Sequence, residues 1–268
     1  MAMSEHRAET LDDVFDVIRS ASHSGEMACR GEPRHFQGTR SKIDRLLDRL
    51  NRSSEERAMV EKLAIMRFVD QAAVHCTPVE LTYIHDRVLS ILALMQHYGA
   101  PTRIVDWSLS PWVAVYYACH KDPDHDGVVY LFNLKLVVNT IRKTTEKQST
   151  AMLSIPSSDL DGWESAALTA GDWINPVTMR VSNQRMIAQR GLFTVAGKVN
   201  TDHIRLIDRY SPTDAPLIRL VIPSKLKTPL MRQLVGMNIT PASLFPGIEG
   251  VSRALEQTLE LSLPIVFR

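Results

Sequence analysis

The sequence predicts an α+β fold, a single domain with helices packed around a small mixed β-sheet. Apolar residues recur at helical spacing through most of the first half of the chain. Runs of β-branched and aromatic residues, above all Val128-Val129-Tyr130-Leu131-Phe132 and Leu217-Ile218-Arg219-Leu220-Val221-Ile222, read as strands. Helices thus dominate the first half and strands the second, which is the α+β pattern.

Thr10 reads as the N-cap of a first helix, with Leu11, Val14, Phe15 and Ile18 repeating behind it. Gly25 breaks that pattern, and Met27-Ala28-Cys29-Arg30-Gly31 reads as a short strand ending at its glycine. A polar loop over 32–40 holds Pro33 and Gly38, and Ile43, Leu46, Leu47 and Leu50 mark a second helix. Ser53 or Ser54 caps a third, where Glu55 and Glu56 suit the positive end of the helix dipole. Its expected core face is Met59, Leu63, Met66 and Val69. A fourth helix is expected over about 79–97, with Leu81, Ile84, Val88, Ile91, Leu92 and Met95 inward, and Gly99 ends it.

Ser110 and Pro111 are an N-cap and an N1 proline, so a helix starts there and carries Trp112, Val113, Val115, Tyr116 and Cys119. Val128 to Phe132 is a strand. The span 140–180 is weakly patterned, rich in Ser and Thr, and expected to be mobile in part. Met186 to Val195 reads mostly as strand, begun by Asn183, with Gly191 marking a bulge or a close backbone approach. Leu217 to Ile222 is another strand, stopped by Pro223. Ser224 caps a helix through Leu234 that Gly236 ends. Thr240-Pro241 opens the last helical region, whose apolar stripe is Leu244, Phe245, Ile248, Val251, Leu255 and Leu259.

With 44% hydrophobic and 23% charged residues, the 268-residue chain has the make-up of an ordinary globular protein. Its 31 Lys and Arg against 30 Asp and Glu argue against a protein that grips duplex nucleic acid mainly through phosphates. Cys29, Cys76 and Cys119 show neither metal-ligand spacing nor a disulfide framework, which fits a reducing cytosol. No apolar signal core and no run near the roughly 18 apolar residues of a membrane span is seen, so a cytoplasmic chain with no membrane partner is expected. Nucleophile-elbow, P-loop, zinc-protease and dinucleotide glycine motifs are absent, and no metal site is expected.

The densest chemistry lies in Gln96 to Trp107, a stretch bounded by helices that holds His97, Tyr98, Arg103, Asp106 and Trp107. Loops with that many hydrogen-bonding and aromatic groups usually hold something. His97, at a helix C-terminus, either caps free carbonyls or serves as a general acid–base group. Arg103 offers a fork that suits a phosphate and suits Asp106 equally, as a brace for the loop. Trp107, Trp112, Tyr116 and Tyr117 form an aromatic group that mainly packs, with one member left to stack on a ring.

Four segments resemble the FRG domain family, which is named for a Phe-Arg-Gly motif. They are Cys29-Arg30-Gly31, Gln96 to Trp107 with its continuation through Ala118, Asn183 to Phe193, and Leu244-Phe245-Pro246-Gly247-Ile248-Glu249. Cys29 stands where the family has phenylalanine. The last block reads as packing plus a chain reversal.

The resemblance implies one FRG domain over 1–268. Its parts are an N-terminal helix (1–25), the Arg-Gly strand with the central signature (26–135), a variable insert (136–180), and the second signature with C-terminal helices (181–268). It also implies a distant likeness to ADP-ribosyltransferases, with NAD as the substrate. Arg30, Gly31, Arg103, Asp106 and Tyr116 would then bind the cofactor, while His97 and Gln189 would carry the chemistry. Gln189 stands where many such enzymes have a late-strand glutamate that holds a ribose hydroxyl; an amide holds the hydroxyl without the charge. Arg185 is a candidate phosphate ligand, and Glu32 and Glu164 are carboxylates outside any motif. The implied setting is bacterial or phage conflict, as a toxin or defence factor with a protein or nucleic-acid target and a neutralising partner. The alternatives are a non-catalytic module that binds protein, nucleotide or nucleic acid, and a nuclease-like effector.

Overall fold

The computed structural model describes residues 3–36, 38–179 and 184–262. The chain runs β1 (Ser4–Arg7), α1 (Leu11–His23), β2 (Met27–Glu32), α2 (Lys42–Arg49), α3 (Ser54–Ala72), α4 (Pro78–Ile84), α5 (Val88–His97), β3 (Val105–Ser108), α6 (Pro111–Cys119) and β4 (Gly127–Asn133). It continues with α7 (Leu134–Leu153), α8 (Leu160–Thr169), β5 (Ile174–Val177), α9 (Gln184–Ala188), β6 (Gly191–Ala196), α10 (His203–Tyr210), β7 (Ile218–Ile222), α11 (Ser224–Gly236), α12 (Pro241–Leu244) and α13 (Ile248–Glu260). Among the described residues seven strands form one mixed sheet in the order β1-β7-β4-β2-β3-β6-β5. Only β1 and β7 are parallel.

The α+β class therefore holds, but the expected division into a helical first half and a stranded second half does not. Four strands precede residue 134, and helices run throughout. Strand β4, in the interior of the sheet between β7 and β2, has all its residues buried because both its faces are covered. Val129 and Leu131 face α1, α6 and α11, whereas Val128, Tyr130 and Phe132 face α7 and α10. A third apolar cluster gathers α3, α5 and α8 against β6.

Local chemistry explains most boundaries. Thr10 caps α1 and receives Asp13 in return, a reciprocal box that closes two free amides. Ser53 with Glu56 does the same for α3. Gly99 takes φ +76°, and the amides of Tyr98, Gly99 and Ala100 close the carbonyl end of α5. Ser224 does not cap α11; Asp126 Oδ1 accepts its amide at 2.9 Å.

Several expectations fail for identifiable reasons. The single helix over about 79–97 is two: Thr77 and Glu80 box α4, and the chain turns at His85 to Arg87 before α5. Asp86 anchors that turn by accepting Ser90 Oγ and, through its carbonyl, the Ser157 amide. The span 140–180 holds two helices and a strand, because Trp163 and Trp173 are buried and pin α8 and β5 to the core. Met186 to Val195 is helix, turn and strand, with Gly191 opening β6 and making no bulge. The end of the Gln96 to Trp107 stretch, from Val105, belongs to strand β3. Asn183 lies outside the described residues.

Two expected apolar stripes are turned mostly outward, although Val69 packs half-buried against the core and Leu244 and Phe245 are buried as expected. On α3, Met59, Leu63 and Met66 are exposed, while Ala58, Glu61 and Ile65 face the core. The roll is set by Glu61, which is buried with Arg103. Arg103 Nε donates to Glu61 Oε1 and Oε2 at 2.8 and 3.0 Å, Nη2 also donates to Glu61, and Nη1 reaches the carbonyl of Gly197 at 2.7 Å. Trp163 Nε1 donates to Glu61 at 3.0 Å. On α13, Ile248, Val251, Leu255 and Leu259 all point to solvent. Gly250 faces α12, where a Cβ would stand 1.9 Å from the Phe245 carbonyl oxygen, so only this roll lets the two helices meet.

Arg103→Met leaves the Glu61 charge buried without its partner, and should cost about 3–5 kcal/mol in urea denaturation. The double variant Arg103→Met with Glu61→Met should recover part of that loss. Acid sensitivity has a separate source. Burial pushes the His120 imidazole down to about 4 and, aided by Arg30 and Arg103, that of His203 to about 3. Both charge at about 6.5 once unfolded. Their stabilisation is therefore complete above pH 6.5 and falls away as pH drops towards 4. The urea midpoint should decline through that window, and less steeply in His120→Phe.

Candidate functional site

Strands β2 and β3 pair only where Cys29 meets Ser108. Beyond that point they part, and the Arg30 side chain bridges the gap. Its Nε donates to Glu32 Oε1 at 3.0 Å and its Nη1 to the Asp106 carbonyl at 2.9 Å. Among the described residues two of the five guanidinium N–H donors are thus engaged, leaving Nη2 and one Nη1 hydrogen.

A cavity of about 240 Å³ opens at this parting. Its walls are Arg30, Gly31, Asp106 and Ser108 from the strands, Gln96 and His97 from the end of α5, and Val113, Ala114 and Tyr117 from α6. Arg185, Met186 and Gln189 close the remaining side. Arg30, Gly31, His97, Asp106 and Gln189, predicted separately from the sequence, meet in this one cleft.

Gly31 has a steric purpose. A Cβ there would lie 1.8 Å from the Ala114 carbonyl oxygen and 2.7 Å from the Ala118 nitrogen. At Gly127 a Cβ would fall 2.3 Å from the Ala118 carbonyl oxygen. The two glycines let α6 rest directly on the backbone of β2 and β4, which sets the width of the cleft on that side.

Asp106 is the only carboxylate lining the cleft among the described residues. Its Oδ2 accepts Gln96 Nε2 at 2.8 Å, and Gln96 Oε1 accepts Thr102 Oγ1 at 2.6 Å, so the carboxylate is aimed by the loop itself. His97 makes no ring hydrogen bond among the described residues, and backbone amides do the capping at the end of α5. Burial, reinforced by Arg185, holds its imidazole below the ordinary histidine range, so it is neutral at neutral pH. A neutral imidazole in a cleft is able to accept a proton.

Arg185 lies with its guanidinium 4.8 Å from the centre of the Phe245 ring and next to the Tyr117 hydroxyl. It has no ion-pair partner among the described residues, which leaves its fork open to an anion. Burial pushes the Tyr117 hydroxyl up to about 12, so its ring faces the cleft as a neutral phenol.

Other sequence candidates stand elsewhere. Arg103 is committed to Glu61 and to the carbonyls at the end of β6, so it neither braces Asp106 nor lines the cavity. Tyr116 points to a different side of α6, where it lines a second cavity of about 530 Å³. Gln189 is on the turn before β6 and not on a late strand; its Nε2 donates to the Leu244 carbonyl at 3.0 Å and its own carbonyl accepts Ser108 Oγ at 2.7 Å. Glu32 is buried against Arg30 and Thr39, and Glu164 pairs with Lys62. Cys29 is buried and its thiol is pushed up by desolvation, so it offers no nucleophile. Tyr117 was the cleft residue hardest to see in sequence. Its signal was its spacing from Val113, one helical turn earlier, which is informative only once the direction of α6 is known.

Among the described residues no group of three His, Cys, Asp or Glu could hold a metal ion, and no helix is long and apolar enough to cross a membrane. Residues 26–127 match the FRG domain. That stretch contains the Arg-Gly strand, the central signature and α6, whereas Arg185, Gln189 and the Leu244 block lie outside it. No curated protein and no solved structure matches the chain.

Gly31→Ala should cost about 3 kcal/mol, the upper range for overpacking, because backbone atoms of α6 would have to retreat. Urea denaturation measures this directly. A loss under about 1 kcal/mol would show that α6 is not held by this contact.

Proposed function

Starting from a chain that carries an FRG domain over residues 26–127, we propose that the cleft binds NAD and breaks its nicotinamide–ribose bond. The ADP-ribose then passes to water or to a hydroxyl or amine of a macromolecular target. The observation that carries this reading is the convergence in one cleft of a carboxylate, a neutral imidazole, an arginine with no ion-pair partner among the described residues and an aromatic ring from distant parts of the chain.

Each group has a task suited to it. Cleavage releases neutral nicotinamide with the electron pair of the C–N bond and leaves positive charge on the ribose. The Asp106 carboxylate, aimed by Gln96, stabilises that charge as it develops. His97 accepts the proton that the attacking hydroxyl gives up. Arg185 and the free donors of Arg30 suit the pyrophosphate, and Tyr117 offers a face to the departing ring. Gln189 Oε1 remains an acceptor for a ribose hydroxyl. The cavity is smaller than the ~300–1,000 Å³ usual for whole ligands, so it suits the nicotinamide riboside end, with the rest of the dinucleotide along the mouth. The setting implied by the family is an effector in bacterial or phage conflict.

The lack of a glutamate in the cleft lining among the described residues favours a second reading, in which the same cleft binds the nucleotide without cleaving it. One experiment separates the two. The protein is given NAD, free nicotinamide is followed by chromatography, and binding is followed by calorimetry. Asp106→Asn should lower kcat about 100-fold, and His97→Ala by a similar factor. Arg185→Ala should act mainly on KM. The rate should fall on the acid side, below pH 6.5, as His97 gains its proton. Binding without nicotinamide release would establish the second reading, and neither binding nor release would overturn both.

A further inference from the structure

Helix α13 presents to solvent the face that its sequence would have placed in the core. Ile248, Val251, Leu255 and Leu259 are 81%, 59%, 57% and 61% exposed, and their spacing of three, four and four residues makes them one stripe. Single exposed leucines are ordinary, but a continuous row is the mark of an interaction face. The helix cannot roll to bury it. Gly250, Gln257 and Leu261 fill the inner side, and at Gly250 there is no room even for a methyl group.

The two edges of the stripe differ. At about 100° per residue, Glu249, Glu256 and Glu260 fall along one edge and Ala254 and Thr258 along the other. Glu249 is engaged by Arg253 at 2.7 Å, whereas Glu256 and Glu260 have no ion-pair partner among the described residues. They stand four residues apart, a like-charge spacing that costs an isolated helix a few tenths of a kcal/mol. Antiparallel pairing with a second copy would set acidic edge against acidic edge. Parallel pairing would set it against the uncharged one. Neither satisfies the carboxylates.

We infer that the outer face of α13 is a docking surface for a partner protein that presents an amphipathic helix with lysine or arginine along one edge. Its apolar side chains would cover Ile248, Val251, Leu255 and Leu259, and its basic edge would meet Glu256 and Glu260. This site is remote in role from the cleft and does not depend on NAD chemistry.

The test uses the full chain and two fluorescent helical peptides with the same leucine seam, one with lysine along its edge and one with glutamate. Anisotropy titrations at physiological salt should show the lysine peptide binding at least tenfold more tightly. Leu255→Asp, at an exposed position, should abolish binding with an unchanged melting temperature; Leu259→Ser is the milder replacement if it does not fold. Glu256→Gln with Glu260→Gln should erase the preference between peptides. Equal binding of the two peptides, or binding indifferent to Leu255→Asp and Leu259→Ser, would overturn the inference. So would a dimer by sedimentation that Leu255→Asp converts to monomer, or a preference for phosphatidylcholine vesicles over the peptide.

Discussion

The buried pair of Arg103 and Glu61 is the constraint from which the cleft takes its shape. A charged arginine inside a protein is tolerable only when its donors are occupied, and here a carboxylate and strand-end carbonyls occupy them. The pair joins the signature loop to α3, and through Trp163 to α8. With Arg103 fixed at one end, the loop has one course to β3. That course delivers Asp106 to the parting of β2 and β3 and leaves His97 at its other end. A residue that touches no ligand therefore decides where the ligand-facing residues stand.

Helix starts and stops were legible in the sequence wherever a short-range rule governed them. The Thr10 and Ser53 caps, the Gly99 end of α5 and the Pro111 start of α6 depend on side chains within four residues of the boundary. Helix roll was not legible, because single residues overrode the apolar pattern. A buried acid turns α3, and a glycine too close to a neighbouring carbonyl turns α13. The span 140–180 looks weakly patterned for the opposite reason. Its Ser and Thr residues disguised two tryptophans that anchor it.

The candidate cleft was legible in its members more than in its geometry. Arg30, Gly31, His97, Asp106 and Gln189 meet there although the pattern that singled them out held no distances. Arg103 and Tyr116 dropped out because the direction of a side chain depends on partners far away in sequence: Glu61 for the first, the seating of α6 for the second. Tyr117 took the place expected of Tyr116, one residue and about 100° further round the helix.

The contact of α6 with two glycines has a mechanical consequence. A helix seated on bare backbone at two strands has no compressible side-chain layer beneath it, so it behaves as the fixed jaw of a vice. The opposite jaw is a five-residue helix and a turn, held by Gln189 to Leu244 and by Ser108 to the Gln189 carbonyl. Any widening of the cleft must take place on that side, at the expense of a few hydrogen bonds. A ligand would thus find one wall already in its bound form, and the entropy lost on closing would be confined to the other.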